Sequence, residues 1–263
     1  MIAPARRSHV VIALLLSLGP AVGAAQTLET ETARLLRAGW WKIGNAFEFQ
    51  TSSDGTELAV PFAVEYGLTD NLELLVEPVP YTAIRPRVGR HARGVGDVEA
   101  TLTYRFRQES RSVPALALAA EVKLPTARDT LIGTRRTDYA GYVIASKRFG
   151  HVDAHFNVGY TIVGQPAGVM LDNVFNFALA GVYRPNTGLE LFGEVLGSTA
   201  SGAGEVQPGS GGAGAVVPEA AGNVLVGTLG AGKALGAALL YLAVSYDNSH
   251  AVLFRPGLTV RFR

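Results

Sequence analysis

Apolar and polar side chains alternate at every second residue over long stretches of this chain. In one stretch the apolar positions are Leu58, Val60, Phe62, Val64 and Tyr66. The residues between them are small or charged, and include Glu57 and Glu65. A period of two predicts a β-strand with one apolar face and one solvent-exposed polar face.

The same pattern recurs along the chain and predicts about twelve strands. They cover residues near 40–50, 56–67, 72–82, 95–107, 114–126, 138–149, 152–164, 173–184, 189–199, 222–232, 236–247 and 250–262. Tight turns rich in Gly, Pro, Asn and Asp mostly alternate with longer segments, at 83–94, 127–137, 165–172 and 201–222. An even strand count with short turns at one end and long loops at the other is typical of outer-membrane barrels.

Composition separates a membrane barrel from a soluble sandwich, which also alternates. Hydrophobic residues make up 48% of the chain and the mean hydropathy is +0.21. Beyond residue 25, however, no apolar run reaches the ~20 residues that a spanning helix needs. Lipid cannot satisfy an open sheet edge, so membrane strands must close on themselves. The fold class predicted is therefore all-β, a transmembrane antiparallel up-and-down β-barrel over residues 40–263.

The first 25 residues read as a signal peptide for Sec export, with Arg6 and Arg7 before an apolar run and small residues before Gln26. Removing them leaves 21 basic and 22 acidic residues, a net charge of −1. This balance does not favour nucleic acid as a partner. Residues 26–39 are predicted to form either a periplasmic tail or a plug. The location predicted is a Gram-negative outer membrane.

Ionisable residues on the predicted inward faces are the main candidate site, since in lipid a basic residue would cost about 2–4 kcal/mol at mid-depth. These lumen-lining candidates are Glu48, Glu77, Asp97, Glu99, Arg105, Glu121, Lys123, His155 and Glu194. They can pair across strands and brace a filled barrel, or line an aqueous path and filter solutes by charge. A barrel of this size favours a narrow or partly plugged path.

The predicted extracellular loops carry a basic cluster. Its arginines are Arg85, Arg87, Arg90, Arg93, Arg128, Arg135 and Arg136. Two uses fit this cluster: holding lipopolysaccharide phosphates, or drawing anionic solutes to the mouth of the barrel. Loop charge that is merely solvated is the alternative.

Four segments of the first half carry a resemblance to a known family. They are Phe62–Leu74, Gly94–Glu99, Glu121–Thr126 and Ser146–Gly150. With these segments the chain resembles the MetA-pathway phenol degradation family of outer-membrane proteins. The resemblance implies a channel or transporter, with aromatic compounds as solutes. The alternating final strand, 258–263, resembles the signal that the barrel-assembly machinery reads.

Catalysis and cofactor binding find little support in the sequence. The string Gly227–Ala234 approaches a phosphate loop, but Ala234 lacks the hydroxyl that would bind Mg²⁺. There is no cysteine, and the five histidines lack metal-ligand spacing. We therefore expect no catalytic residue, no metal and no cofactor. A lipid-modifying enzyme would need a serine beside His155, and no partner for it is evident in the sequence.

The prediction is an outer-membrane channel or transporter for passive uptake of small solutes, including aromatic or hydrophobic ones. Its expected partners are outer-membrane lipid, lipopolysaccharide, the solute and the barrel-assembly machinery. The alternative is a non-conducting structural or adhesion barrel whose extracellular loops carry the function.

Overall fold

Twelve antiparallel strands form a closed barrel in the part of the chain that the structure, a computed structural model, describes. The described residues are 29–166, 171–185, 187–199 and 223–263. The predicted signal peptide and the whole of the predicted 201–222 loop lie outside them. No helix among the described residues is long and apolar enough to cross a membrane.

The first four strands are each interrupted once. β1 comprises Trp41–Ala46 and Glu48–Thr51, β2 comprises Gly55–Ala59 and Phe62–Thr69, β3 comprises Leu72–Pro78 and Thr82–Pro86, and β4 comprises Ala92–Gly94 and Val98–Arg107. The other eight are continuous: β5 Ala115–Leu124, β6 Asp138–Phe149, β7 Val152–Ile162, β8 Val174–Tyr183, β9 Leu189–Ser198, β10 Val224–Leu235, β11 Ala238–Asp247 and β12 Val252–Phe262.

Each strand pairs with its sequence neighbours, and the ring closes where β1 pairs with β12, Trp41 opposite Phe262. Two of the four interruptions fall at prolines, which have no N–H to give to the ladder. Pro61 and Pro80 lie in the breaks of β2 and β3. Backbone bonds still bridge the breaks: Val60 N donates to the Tyr81 carbonyl at 2.9 Å.

The predicted strands are confirmed, with two corrections to their bounds. β3 and β4 continue into the predicted loop 83–94, where Ile84 pairs with Ala92. Both side chains are buried against Ala127 and Ile132, which explains why this Arg- and Gly-rich segment stays extended. The predicted end of the tenth strand, at residue 232, is also too early. β10 runs to Leu235, and the turn is made by Gly236, whose φ is +62°.

The outward faces are apolar and end in aromatic rings at both rims. The rings at the end with short turns are Trp41, Tyr66, Tyr104, Phe106, Phe149 and Tyr183. Those at the opposite end are Phe49, Tyr81, Tyr139, Tyr160, Tyr246 and Phe254. We call these ends the turn end and the loop end. Two aromatic girdles flanking an apolar band are what a membrane barrel requires.

Candidate functional site in the barrel lumen

Residues 29–38, which we call the N-terminal segment, lie inside the barrel. Ala33 is fully buried and Leu36 is nearly so. The segment reaches the turn end at Gly39, whose N–H donates to the Gly67 carbonyl at 2.8 Å. A Cβ at Gly67 would collide with the carbonyl oxygen of Arg37, so only glycine lets the segment pass this close to the wall.

Carboxylates of the wall hold the backbone of the N-terminal segment. Glu194 on β9 accepts hydrogen bonds from the Thr30 N–H at 2.9 Å and from its hydroxyl at 2.6 Å. Glu73 on β3 accepts from the Leu36 N–H at 2.5 Å. Because an unpaired N–H inside the barrel would be costly, these bonds fix the segment across the lumen.

A cluster of paired charges fills the lumen near the turn end. Asp153 on β7 is 2% exposed and lies 2.7 Å from Arg148 Nε. It also pairs with Arg184 and lies 3.5 Å from Arg34 of the N-terminal segment. Arg34 pairs in addition with Glu109, in the turn before β5.

Glu109 lies in the turn between β4 and β5, outside the membrane-spanning strands. Burial alone would raise its pKa, but hydrogen bonds from the Arg148 N–H and from Lys147 hold that pKa below the ordinary value. The Arg148 N–H donates at 2.9 Å, and Lys147 Nζ lies 3.2 Å away. Glu109 is therefore an anionic anchor for Arg34 at neutral pH.

Two further ion pairs line the wall on β1. Lys42 Nζ lies 2.5 Å from Glu65 on β2, and both side chains are buried. Glu48 lies 2.7 Å from Arg255 Nε on β12, and Arg255 Nη1 lies 2.6 Å from Glu29. The N-terminal segment thus completes a charge network that the wall begins.

At the loop end, the loop 125–137 packs against the inner side of the β3–β4 wall. Asp97 accepts a hydrogen bond from the Ala127 N–H at 2.9 Å. Lys123 pairs with Asp138 and lies 4.0 Å from Asp97. Both predicted lumen residues point inward, but each is 4–5% exposed and anchors the loop.

A row of carboxylates on β2–β5 forms no ion pair with any described residue. Glu77 and Glu99 are directly opposite each other in the ladder and partly exposed to the lumen. Together with Glu57, they form no ion pair or hydrogen bond with any described residue. Glu121 makes weaker contacts, at 3.4 Å to Thr101 Oγ1 and 3.5 Å to the Tyr142 hydroxyl. We call Glu57, Glu77, Glu99 and Glu121 the carboxylate row.

Arg105 and His155 point inward at the turn-end half. Arg105 donates to the Asp70 carbonyl at 2.5 Å and to Asn71 Oδ1 at 3.0 Å, so it braces the β2–β3 turn. His155 has the serine neighbour that the sequence did not reveal: Ser146 Oγ lies 2.9 Å from its Nδ1. Ser146 also accepts the Ala33 N–H at 2.9 Å. Both side chains are buried beneath the N-terminal segment, so the pair has no access to a substrate.

The predicted extracellular arginines are all on the loop-end side, and all are exposed. Arg90 donates two hydrogen bonds of 2.6 Å to the Asp129 carboxylate. These bonds lower the pKa of Asp129 to about 2. They join the loop before β4 to the loop after β5. No ion pair of Arg85, Arg87, Arg93, Arg128, Arg135 or Arg136 is seen with a described residue.

Several lumen residues escaped the sequence analysis. They are Lys42, Glu73, Asp153, Arg184 and Arg255. All except Arg184, which follows the end of β8, occupy an inward position of their strand's alternation, which was the signal available for finding them. No group of three His, Asp or Glu in the described residues could hold a metal ion.

Comparisons with known proteins agree with this architecture. The COG4313 outer membrane channel from Pseudomonas putida F1 superposes with a TM-score of 0.66 at 13% identity, covering 89% of this chain and 100% of that one. The NanC porin gives 0.56 at 10% identity, covering 83% and 98%. The KdgM porin in complex with disordered oligogalacturonate gives 0.54 at 9% identity, covering 84% and 99%.

These likenesses define the class of the protein by its fold: a closed antiparallel β-barrel of the outer-membrane type. No family model matches the chain, and no curated protein matches its sequence. The class therefore stands on the barrel itself.

Proposed function

We propose that this protein is a passive outer-membrane channel for small solutes, with a narrow path along the carboxylate row. Glu77 and Glu99 carry the proposal. Like charges placed opposite each other weaken a sheet, and buried carboxylates normally have partners. The carboxylate row has no ion-pair partners and does not stabilise the sheet. Its presence is explained if water and passing cations solvate the carboxylates. The names of the structural neighbours, a channel and two porins, support the same role.

The row favours neutral or cationic solutes over anions. The resemblance to the MetA-pathway phenol degradation family adds aromatic compounds as a solute class. An aromatic cation or a neutral phenol fits both the charge of the row and the aromatic solute class. An aromatic carboxylate would be repelled by the row.

A non-conducting barrel is the second candidate, and the N-terminal segment favours it. The segment crosses the lumen and is fixed at both ends, by Glu194 and by Glu73. The two candidates differ in whether room for ions is left between the segment and the carboxylate row.

Planar-bilayer recording of the refolded mature protein separates the candidates. Discrete steps whose size grows with salt concentration support the channel. Silence at high protein load, with correct folding shown by heat-dependent gel migration, supports the non-conducting barrel.

Export and assembly belong to the same proposal. Residues 1–25 are removed as a signal peptide, the N-terminal segment forms the plug, and 258–263 present the assembly signal to the barrel-assembly machinery. Mass spectrometry of protein purified from outer membranes tests the first step, and a mature chain starting at Gln26 is the expected result.

A lipid-modifying enzyme is the class that Ser146 and His155 could suggest. The burial of both side chains argues against it. Phospholipid turnover by the wild type and by His155→Ala is therefore expected to be absent in both.

A further inference from the structure

The loop-end parts of β3 and β4 carry two arginines that point away from the lumen. Ile84 and Ala92 face each other on the inner side, where Ile132 covers them. Because neighbouring strand residues point to opposite faces, Arg85 and Arg93 face outward. Both are exposed.

The two arginines share one patch of the outer surface. Arg93 is opposite Ala83 in the ladder, and Arg85 is two residues further along β3. This diagonal relation places their Cα atoms roughly 7–8 Å apart, close enough for both side chains to reach one ligand. On the neighbouring strand the residue opposite Arg85 is Thr56, which is uncharged.

The patch lies at the level of lipid headgroups. Tyr81, 43% exposed, belongs to the loop-end aromatic girdle, and such rings mark the membrane interface. Arg85 follows it by four residues, roughly 13 Å along an extended strand, on the side away from the apolar band. Val95, 44% exposed, marks the same boundary on β4, and Arg93 lies two residues beyond it.

Neither arginine has a protein counterion among the described residues, in contrast to Arg90 with its two bonds to Asp129. The closest acidic residue in the adjoining loop is Asp54, whose carboxylate accepts a bond from the Ser53 hydroxyl. The Asp54 carbonyl accepts the Arg87 N–H at 2.7 Å. A planar guanidinium without a carboxylate is suited to bidentate binding of phosphate.

We propose that Arg85 and Arg93 form a docking site for the phosphate groups of lipid A in the outer leaflet. Their outward direction separates them from the mouth, so they do not act on solutes that enter the lumen. Arg90 belongs to the link between the two loops and not to this site. The proposal is independent of conduction, since the patch lies on the opposite side of the wall from the carboxylate row.

The test is a titration of the refolded barrel in detergent micelles with purified lipid A, read by native mass spectrometry. The test variant is R85Q/R93Q. The control R128Q/R136Q removes the same charge from the loop 125–137. Lipid A stripped of its phosphates is the second ligand, and heat-dependent gel migration confirms that each variant is folded.

We expect R85Q/R93Q to lower the apparent affinity for lipid A at least about tenfold, as the loss of two charge-assisted contacts implies. The control should stay within about twofold of the wild type because Arg128 and Arg136 belong to a loop that packs on the inner side of the β3–β4 wall and not on its outer surface. Removing the phosphates should weaken wild-type binding as much as R85Q/R93Q does. Equal losses in test and control variants, wild-type binding that ignores the phosphates, or no wild-type binding would each overturn the proposal.

Discussion

The lumen carboxylates form two groups, which we call the paired side and the unpaired side, and the groups differ in whether a cation compensates their charge. Around the N-terminal segment, Asp153, Glu65 and Glu48 each contact at least one cation. Further along β2 and on β3 and β4, no cation of the described residues lies within 4.0 Å of Glu57, Glu77 or Glu99, although Lys123 is opposite Glu99 in the ladder and pairs with Asp138. The paired side is explained by stability, because a buried charge needs a partner. The unpaired side has no structural explanation, which is why we assign it the aqueous path.

The same alternation of residues produces both sides. What differs is the source of the partners: Arg34 and Glu29 come from the N-terminal segment, and Glu109 comes from a turn. A lumen-facing carboxylate therefore becomes a brace only where a non-strand segment reaches it.

Removing the N-terminal segment should have the largest effect, because it takes away the partners that distinguish the paired side from the unpaired side. Deleting residues 29–36 should raise single-channel conductance several-fold, because this segment crosses the lumen and is fixed to the wall by Glu194 and Glu73. The measurement is planar-bilayer recording of the folded variant.

A cross-link provides the matched control, since the chain contains no cysteine. Ala33 N lies 2.9 Å from Ser146 Oγ, so a disulfide in A33C/S146C is geometrically reasonable. The oxidised protein should keep the wild-type conductance. A deletion variant that conducts no better than the cross-linked protein would show that the segment does not restrict the path.

Breaking the paired side should lower stability. Asp153→Asn leaves Arg34, Arg148 and Arg184 without their shared carboxylate, and we expect a loss of roughly 3 kcal/mol in the free energy of unfolding. Urea titration of the protein in detergent measures this loss. A change of less than about 1 kcal/mol, the range of a surface pair, would contradict the bracing role.

The unpaired side should respond in the opposite direction. E77Q/E99Q removes two like charges from facing ladder positions, so stability should be unchanged or higher by about 0.5 kcal/mol. The same urea titration serves, with Asp153→Asn as reference. A loss comparable to that of Asp153→Asn would mean that the row also braces the barrel.

The smallest effect is expected at the exposed link between loops. The pKa of Asp129, lowered to about 2 by Arg90, keeps its carboxylate charged well into acid. A group with a depressed pKa contributes above its unfolded value and loses that contribution as the pH falls toward the folded value. The link should therefore persist down to about pH 4.

Spin labels in V88C/R128C would report the distance between the two loops. The distribution should be the same at neutral pH and at about pH 4, and should broaden when Arg90→Gln is added. Broadening at about pH 4 without that change would show that Asp129 titrates normally.

Strand positions and facing were predictable from the sequence because both depend on local alternation. Lys123 and Asp97 point inward as the pattern requires, yet their partners are Asp138, at the start of β6, and Ala127, in the loop before it. The pairing of Ser146 with His155 likewise depends on the register of β6 and β7, which alternation alone does not determine. The path of residues 29–38 through the lumen has no periodic signal, because it is held by backbone bonds to wall carboxylates.

Reversal potentials across a salt gradient test the central claim most directly. The wild type should prefer cations, and E77Q/E99Q should move the reversal potential toward zero while leaving the conductance of comparable size. An unchanged reversal potential in the folded variant would contradict the account, since ions would then be passing somewhere other than along Glu77 and Glu99.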